Sequence, residues 1–274
     1  MRLGIFAKTF PGTDAASVLA AVRDAGYGCT QFNMACVGLP AMPEAVEPGV
    51  IEAIAQASRD TGVTLSALSA TYNMIHPDTS VRQTGLHRLR VILDTARALG
   101  IPLVTLCTGT RDPDDQWRHH PDNAAPEAWF DLCREMEKAL AMAEAEGIDL
   151  CIEPEQANVV TSALDARRLI DDMGSQRLRI VVDPANLFEQ ATPDEARRIV
   201  AEAVAIADGA IAMAHAKDRA HDGRFVTAGT GVVDFPDFLD RLWAEGFDGP
   251  VVTHGLAATE AAGVAAYLKE LGLR

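Results

Sequence analysis

The regular alternation of short apolar segments with helical patterns constrains the fold of this chain more than any other feature. Eight times, an apolar run bounded by Gly, Pro or Asp is followed by apolar residues at helical spacing. The run Val63–Leu68 predicts one such strand, and the stripe of Leu86, Leu89, Leu93 and Ala96 predicts the helix after it. This alternation is typical of parallel strands whose connecting helices cover the sheet.

Eight strand–helix units in 274 residues predict a closed (β/α)8 TIM barrel. An open, doubly wound sheet is the alternative, because it is built from the same units. The sequence contains no linker, low-complexity run or shift in composition, so residues 1–274 are predicted to form one domain. With 48% hydrophobic residues, a chain of this length can bury a large core.

The charge balance restricts the classes of partner. The chain has 24 basic and 39 acidic residues, for a net charge of −15. Such a surface repels phosphate backbones and anionic lipid, so neither nucleic acid nor membrane is an expected partner. The N-terminal segment lacks the apolar core of a signal peptide because Lys8 interrupts it. The five cysteines include no CxxC pair, which indicates reduced thiols and a cytoplasmic location. The number of subunits stays open, with a homo-oligomer among the expectations.

The ends of four successive strands carry residues that can bind a metal. Glu153 ends the run that begins at Gly147, and later runs end on Asp183, His215 and His254. The four lie roughly 30 to 40 residues apart, which matches one βα unit each. Because the carboxyl ends of barrel strands open on one face, we expect these side chains to converge on one divalent metal ion.

The chemistry of these four residues limits the choice of metal. Carboxylate oxygens together with imidazole suit Mn, Co, Zn, Fe or Ni better than Ca or Mg. Each residue alone also has a structural interpretation, such as a carboxylate at the rim of the core paired with Lys or Arg. His254 is predicted either to bind the metal or to act as a general acid/base, because histidine titrates near neutrality.

Several polar residues near the predicted strand ends are candidates for substrate binding. Lys217 follows His215 by two positions and should point to the same side of the strand. Arg219 is a further candidate for binding an anion, and His76 follows the third strand. Arg111 lies in the longest irregular segment, Thr108 to Pro126, and loops of this length often act as lids.

The sequence resembles the xylose-isomerase-like TIM-barrel superfamily of sugar (phosphate) isomerases and epimerases over nearly its whole length. The resemblance is carried by five short segments, which are more specific together than any one alone. They are IEP at 152–154, VDPAN at 182–186, HAKD at 215–218, GTGVVDF at 229–235 and GFDGP at 246–250.

The resemblance implies metal ligands at Glu153, Asp183 and His215. It also implies a glutamate at the end of the eighth strand, where this chain has His254. In the epimerases of this superfamily, that glutamate and the glutamate of the fifth strand flank the substrate and exchange protons with its carbon. Asn186 stands where many relatives have a substrate-contacting histidine, and it can donate a hydrogen bond to a hydroxyl but cannot carry a proton.

The leading functional hypothesis is a metal-dependent isomerase or epimerase of a sugar or sugar phosphate, with Glu153 transferring the proton. The second is a dehydratase or lyase acting on a cyclic polyol or keto acid, which needs one base and one electrophile. A DNA-repair endonuclease of the same superfamily is disfavoured by the net charge of −15. A sugar-binding protein without catalytic activity is the fourth hypothesis.

Overall fold

The barrel predicted from the sequence is present in the computed structural model, which describes all 274 residues. The eight parallel strands of the barrel are β1 (Arg2–Phe6), β2 (Cys29–Phe32), β3 (Thr64–Ser69), β4 (Leu103–Leu106), β5 (Asp149–Ile152), β6 (Leu178–Val182), β7 (Ile211–Ala216) and β10 (Pro250–Thr253). They close into a ring in the order β1-β10-β7-β6-β5-β4-β3-β2. The closed ring excludes the open, doubly wound sheet.

Eight helices follow the barrel strands along the chain. They are α1 (Ala15–Asp24), α2 (Pro48–Thr61), α3 (Thr79–Leu99), α4 (Pro126–Glu146), α5 (Ala163–Met173), α6 (Pro193–Ile206), α7 (Phe235–Ala244) and α8 (Ala261–Glu270). Two of them begin with side chains that the sequence favours as helix N-caps. Asp14 accepts a hydrogen bond from the Ser17 amide, and Thr192 forms a reciprocal capping box with Glu195. No helix combines the length and the apolar character needed to cross a lipid bilayer.

The interior of the barrel contains an apolar layer of six buried residues. It consists of Ala67, Leu103, Cys151, Val181, Met213 and Val252, one residue from each of six strands. Side chains alternate along a strand, so the residue two positions further on faces the same side. Those residues are Ser69, Thr105, Glu153, Asp183, His215 and His254. The apolar layer therefore ends in a polar layer at the carboxyl mouth of the barrel.

One element was not predicted from the sequence. The loop after β7 contains a two-stranded antiparallel hairpin of β8 (Asp218–Arg219) and β9 (Phe225–Val226). The buried carboxylate of Asp218 accepts hydrogen bonds from the amides of Gly229, Gly231 and Val233. This carboxylate fixes the rest of the loop beside the mouth of the barrel.

Candidate metal centre and active site

Three of the four predicted metal ligands meet at the mouth of the barrel. Glu153 and Asp183 directly follow β5 and β6, and His215 lies near the end of β7. The Nδ1 atom of His215 is 3.2 Å from Asp183 Oδ2 and 3.4 Å from Glu153 Oε1. One ligand atom from each residue lies within 4.8 Å of the others. With metal–ligand bonds of about 2.1 Å, one ion can contact all three.

The chemistry of these donors fits a divalent transition metal. Two carboxylates and one imidazole nitrogen face the same small volume, and Asp183 and His215 are buried. Buried carboxylates need positive charge nearby. Oxygen and imidazole donors together are typical ligands of first-row transition metals. The side chain of Glu153 is 21% exposed, so this ligand also faces the open mouth.

The electrostatics of the cluster favour a cation at this point. Burial opposes charging of His215, but the carboxylates of Glu153 and Asp183 outweigh it and raise the pKa of the imidazole to about 9. Burial of Asp183 acts in the opposite direction to Lys217 and His215, which together hold the pKa of this carboxyl well below its usual range. The charge pattern that retains a proton on His215 would also retain a metal cation.

His254 lies beside the three-ligand cluster rather than inside it. Its ring makes an edge contact with His215, with 5.4 Å between ring centroids, and a tilted contact with Phe6 at 5.2 Å. Burial, with the positive charges of His215 and Lys217, lowers the pKa of His254 to about 4. The ring is therefore neutral at physiological pH. Its role as ligand or as acid/base stays a prediction.

A hydrogen-bonded chain connects Glu153 to a buried lysine. Asn186 Nδ2 donates to Glu153 Oε1 at 2.6 Å, and Asn186 Oδ1 accepts from Lys217 Nζ at 2.8 Å. Lys217 Nζ also lies 3.9 Å from Asp183. Asn186 and Lys217, both predicted to contact substrate, are thus within the cluster and hold Glu153 in place.

The β8–β9 hairpin contributes an aromatic side chain to the rim of the site. Lys217 Nζ lies 3.7 Å from the centroid of the Phe225 ring, and the guanidinium carbon of Arg219 lies 4.1 Å from it. Phe225 remains 48% exposed. Cation–π attraction therefore places an open aromatic surface directly beside the buried lysine.

Arg219 binds the loops that surround the site. Its Nε donates to the carbonyl of Ala185, and its Nη1 donates to the carbonyls of Glu189 and Gly223. These bonds hold the loop after β6 against the hairpin.

Arg111 and His76 similarly hold the long loop 108–126. Arg111 donates to the carbonyl of Ile75 and forms an ion pair with Asp131 on α4 at 2.8 Å. His76 Nε2 lies 3.0 Å from the Pro113 carbonyl and lines a cleft of about 500 Å³. Neither side chain joins the cluster around Glu153.

Two further polar residues lie at the site: Gln31, which no sequence pattern indicates, and Glu155, which the sequence suggests either as a neighbour of the metal ligands or as an exposed residue. Gln31 Oε1 lies 3.0 Å from Nε2 of His215, on the ring edge opposite the carboxylates. Burial, reinforced by the charge of Glu153, raises the pKa of Glu155 to about 7. Gln31 lies in a segment that reads as an ordinary core strand, so only the closed barrel brings it to His215. Glu155 had a detectable signal, because it follows Glu153 by two positions.

A closed parallel barrel with acidic and imidazole ligands at its carboxyl mouth defines a TIM-barrel protein with a candidate metal centre. Within that class, the chain belongs to the xylose isomerase-like TIM-barrel family, whose sequence profile matches residues 19–271. This confirms the resemblance carried by the short motifs. A search among curated proteins found no significant match.

Solved structures of sugar epimerases have the same fold. The apo 3-keto-D-glucoside 4-epimerase YcjR from E. coli superposes with a TM-score of 0.78 at 17% identity, covering 98% of this chain and 99% of that chain. An L-ribulose 3-epimerase gives 0.77 at 20% identity, covering 98% and 94%. D-Psicose 3-epimerase from Clostridium cellulolyticum H10, solved with D-tagatose, gives 0.76 at 14% identity, covering 100% of both chains. At these identities the likeness establishes the fold.

Proposed function

We propose that this protein is a metal-dependent isomerase or epimerase of a free or phosphorylated sugar, working by enediolate-type proton transfer. The observation that carries the proposal is the convergence of Glu153, Asp183 and His215 at the carboxyl mouth of the barrel. The structural neighbours support it, because those described above are named as epimerases of sugars or keto sugars.

Glu153, Asp183 and His215 would hold the metal, for which Mn, Co, Zn, Fe and Ni are the candidates. When bound, the metal supplies Lewis acidity to a carbonyl and a hydroxyl oxygen of the substrate. Asp183 and His215 serve as buried anchors. Glu153 is the ligand with open access to the mouth, which suits it to contact the substrate as well.

Glu153 is the proposed base. Its carboxylate takes the proton from the carbon next to the substrate carbonyl, and the C–H electron pair forms the C=C bond of the enediolate. Epimerisation follows when a donor other than Glu153 adds a proton to the opposite face of the same carbon, while Glu153 keeps the proton that it took. Delivering that proton instead to the former carbonyl carbon isomerises the sugar, with a matching proton shift between the oxygens. Neither route requires an oxidant or reductant.

His254 is the second proposed functional group. It occupies the strand end at which the resemblance implies a glutamate. Because burial keeps the imidazole neutral, its lone pair can bind the metal or accept a proton from the substrate. The two roles are separable, since only a ligand contributes to metal affinity.

We assign substrate hydroxyl or phosphate binding first to Lys217 and Asn186, which lie next to Glu153. His76, Arg111 and Arg219 remain proposed contributors that act from the surrounding loops. The net charge of −15 makes such local cations important for any anionic substrate.

A dehydratase or lyase acting on a cyclic polyol or keto acid is the second candidate. One observation favours it: the residue that follows the eighth barrel strand is His254 and not a second carboxylate. Elimination of water needs one base and one electrophile, so it tolerates this replacement.

Metal analysis tests the proposed centre. After loading with Mn²⁺, Co²⁺ or Zn²⁺ and removal of excess, we expect near-stoichiometric metal in the protein and loss of it in Asp183→Ala. In His254→Ala, weakened binding identifies a ligand, whereas unchanged binding with loss of proton exchange identifies an acid/base. A wild-type protein that retains no divalent metal contradicts the proposal.

Incubation of ketoses and ketose phosphates in heavy water tests the reaction. We expect deuterium on the carbon next to the carbonyl, and no incorporation with Glu153→Gln. Loss of water from a keto-polyol, without exchange into any sugar, would favour the dehydratase instead.

A further inference from the structure

We infer that Gln31 is a positioning residue of the metal centre, whose carboxamide holds the His215 ring with Nδ1 facing Glu153 and Asp183. The inference rests on the metal site of the proposed function and is independent of the substrate. Gln31 lies on β2, across the barrel from β7, and none of the sequence motifs includes it.

The Gln31 carboxamide, on β2, contacts residues of three other strands of the barrel. Its Oε1 lies 3.0 Å from His215 Nε2. Its Nε2 donates to Ser69 Oγ on β3 at 3.0 Å and to Thr105 Oγ1 on β4 at 3.1 Å. The two amide hydrogens and the carbonyl oxygen thus each have a partner. Gln31, Ser69 and Thr105 are all buried, so little water competes for these bonds.

The two nitrogens of an imidazole ring have linked roles. A nitrogen that binds metal must present its lone pair, so the other nitrogen of a neutral ring must carry the hydrogen. Nδ1 of His215 is the atom that faces the two carboxylates, which leaves Nε2 as the donor. The carbonyl oxygen of Gln31 supplies the acceptor. A hydrogen bond to the far nitrogen is a common way to fix the tautomer and orientation of a metal-binding histidine.

A register shift between β2 and β3 changes which residue of β3 lies opposite Gln31. Strand β2 pairs with β3 so that Thr30 lies opposite Leu65, but the register shifts at the next residue and Gln31 lies opposite Ala67. A regular register would have placed Gln31 opposite Ser66. Ala67 belongs to the inward-facing layer of the barrel, and Ser69 follows it on the same side. The shift thus moves Gln31 one residue further along β3, towards its partner Ser69.

Zinc affinity of chelator-stripped protein, measured by titration calorimetry, tests this role. Replacing Gln31 by Leu removes the acceptor, and we expect zinc binding to weaken by about 10- to 100-fold. Gln31→Glu keeps an acceptor, and the hydroxyls of Ser69 and Thr105 can turn to donate to it. We therefore expect this variant to bind zinc within a few-fold of the wild type. Ser66→Ala is the matched control, because it removes a buried hydroxyl on β3 that has no partner in this network.

A nitrogen-detected NMR spectrum of the zinc-loaded protein provides a second readout. We expect a slowly exchanging Nε2–H signal from His215 in the wild type and in Gln31→Glu, and loss of its protection in Gln31→Leu.

The outcomes distinguish the inference from the proposed function. Equal zinc affinity in folded wild type and Gln31→Leu overturns the role of Gln31 and leaves the metal site intact. Equal weakening in Gln31→Leu and Gln31→Glu, with lowered melting temperatures in both, would indicate a purely structural residue and also overturns it. A wild-type protein that binds no zinc, cobalt or manganese removes the metal site and the inference together.

Discussion

Asn186 illustrates how one side chain can order a site through its two chemically different ends. Its amide donates to Glu153 and its carbonyl accepts from Lys217, so the carboxamide has one orientation that satisfies both neighbours. A carboxylate that is held in this way loses less conformational freedom when it binds a metal or takes a proton.

Replacing Asn186 by Leu tests this ordering. We expect the turnover number of the proposed proton transfer to fall about 10- to 100-fold, because Glu153 loses its donor and Lys217 its acceptor. Metal content should stay near one ion, since Glu153, Asp183 and His215 are all retained. The measurement is deuterium exchange at saturating metal together with metal analysis. Unchanged exchange in a folded variant would show that Asn186 does not order the site.

The site residues divide into those that the sequence could reveal and those that it could not. Glu153, Asp183 and His215 follow apolar runs at regular intervals, and the barrel must bring such strand ends together. Gln31 gives no such signal, because its partners lie on three other strands. Arg219 stays a proposed substrate ligand, but the sequence does not reveal that its Nε and Nη1 donate to backbone carbonyls, whose positions depend on how the loops fold.

At the level of single elements, helix α3 depends on a glycine that packs against an aromatic ring. A Cβ atom on Gly85 would lie 2.1 Å from Cδ2 of Tyr72. The Tyr72 ring is buried and its hydroxyl donates to the buried carboxylate of Glu135 on α4 at 3.3 Å. The ring cannot move away without breaking this contact, so α3 requires glycine at this position.

Gly85→Ala should therefore destabilise the protein. We expect the free energy of unfolding to fall by about 1 to 3 kcal/mol, the usual cost of overfilling a packed site. Gly263→Ala is the matched control, because Gly263 lies in helix α8 with nothing within 4 Å of an added Cβ. There we expect stabilisation of about 0.5 to 1 kcal/mol, since alanine favours the helix. Urea denaturation of both variants measures the difference, and an equal change in the two would contradict the packing argument.

The β8–β9 hairpin should depend on Phe225, which contacts Lys217 and Arg219. Phe225→Ala removes both cation–π contacts, and we expect a loss of about 1 kcal/mol and faster amide exchange in the hairpin. Phe130→Ala is the control, because Phe130 is 63% exposed on α4 and should have little effect. Hydrogen exchange followed by mass spectrometry locates the change. Exchange that is unaltered in residues 218–226 would rule out a role of the ring in holding the hairpin.

The elements also differ in how far the sequence predicts them. The caps at Asp14 and Thr192 were predictable, because a capping side chain bonds to its own helix within a few residues. The hairpin was not, because strands of two residues are too short to show any alternation. Its position is set by Asp218, which binds amides 11 to 15 residues later in the chain.

At the scale of the whole molecule, the closed barrel follows from the repetition of one unit. Each apolar run supplies a strand that is buried on both faces, and each helical stripe covers the outside. The sequence does not specify the register between neighbouring strands. The shift beside Gln31 and a second one between Ile180 and Val181 have no counterpart in the pattern of apolar residues. The fold was therefore predictable, whereas the position of each side chain along the barrel axis, relative to the carboxyl mouth, was not.

Burial across the whole barrel also predicts how its tyrosines titrate. Burial raises the pKa of Tyr27 to about 12, and burial together with the nearby Glu135 raises that of Tyr72 well above its ordinary value. Burial also raises the pKa of Tyr267. These are the three tyrosines of the chain. In the unfolded chain each should titrate near the ordinary value of about 10.

The raised pKa values of the tyrosines make the folded protein less stable at high pH. Between about pH 10 and 12 the unfolded chain loses phenolic protons that the folded protein keeps, so unfolding becomes easier as the pH rises. The stabilisation is complete below about pH 10 and, for Tyr27, is lost as the pH rises through about 12. We expect the tyrosinate absorbance of the native protein to appear only above the pH at which urea-unfolded protein titrates. Its appearance should coincide with loss of the circular dichroism signal. Three tyrosines that ionise near pH 10 in a protein that stays folded would mean that the phenols are open to water, contrary to their packing.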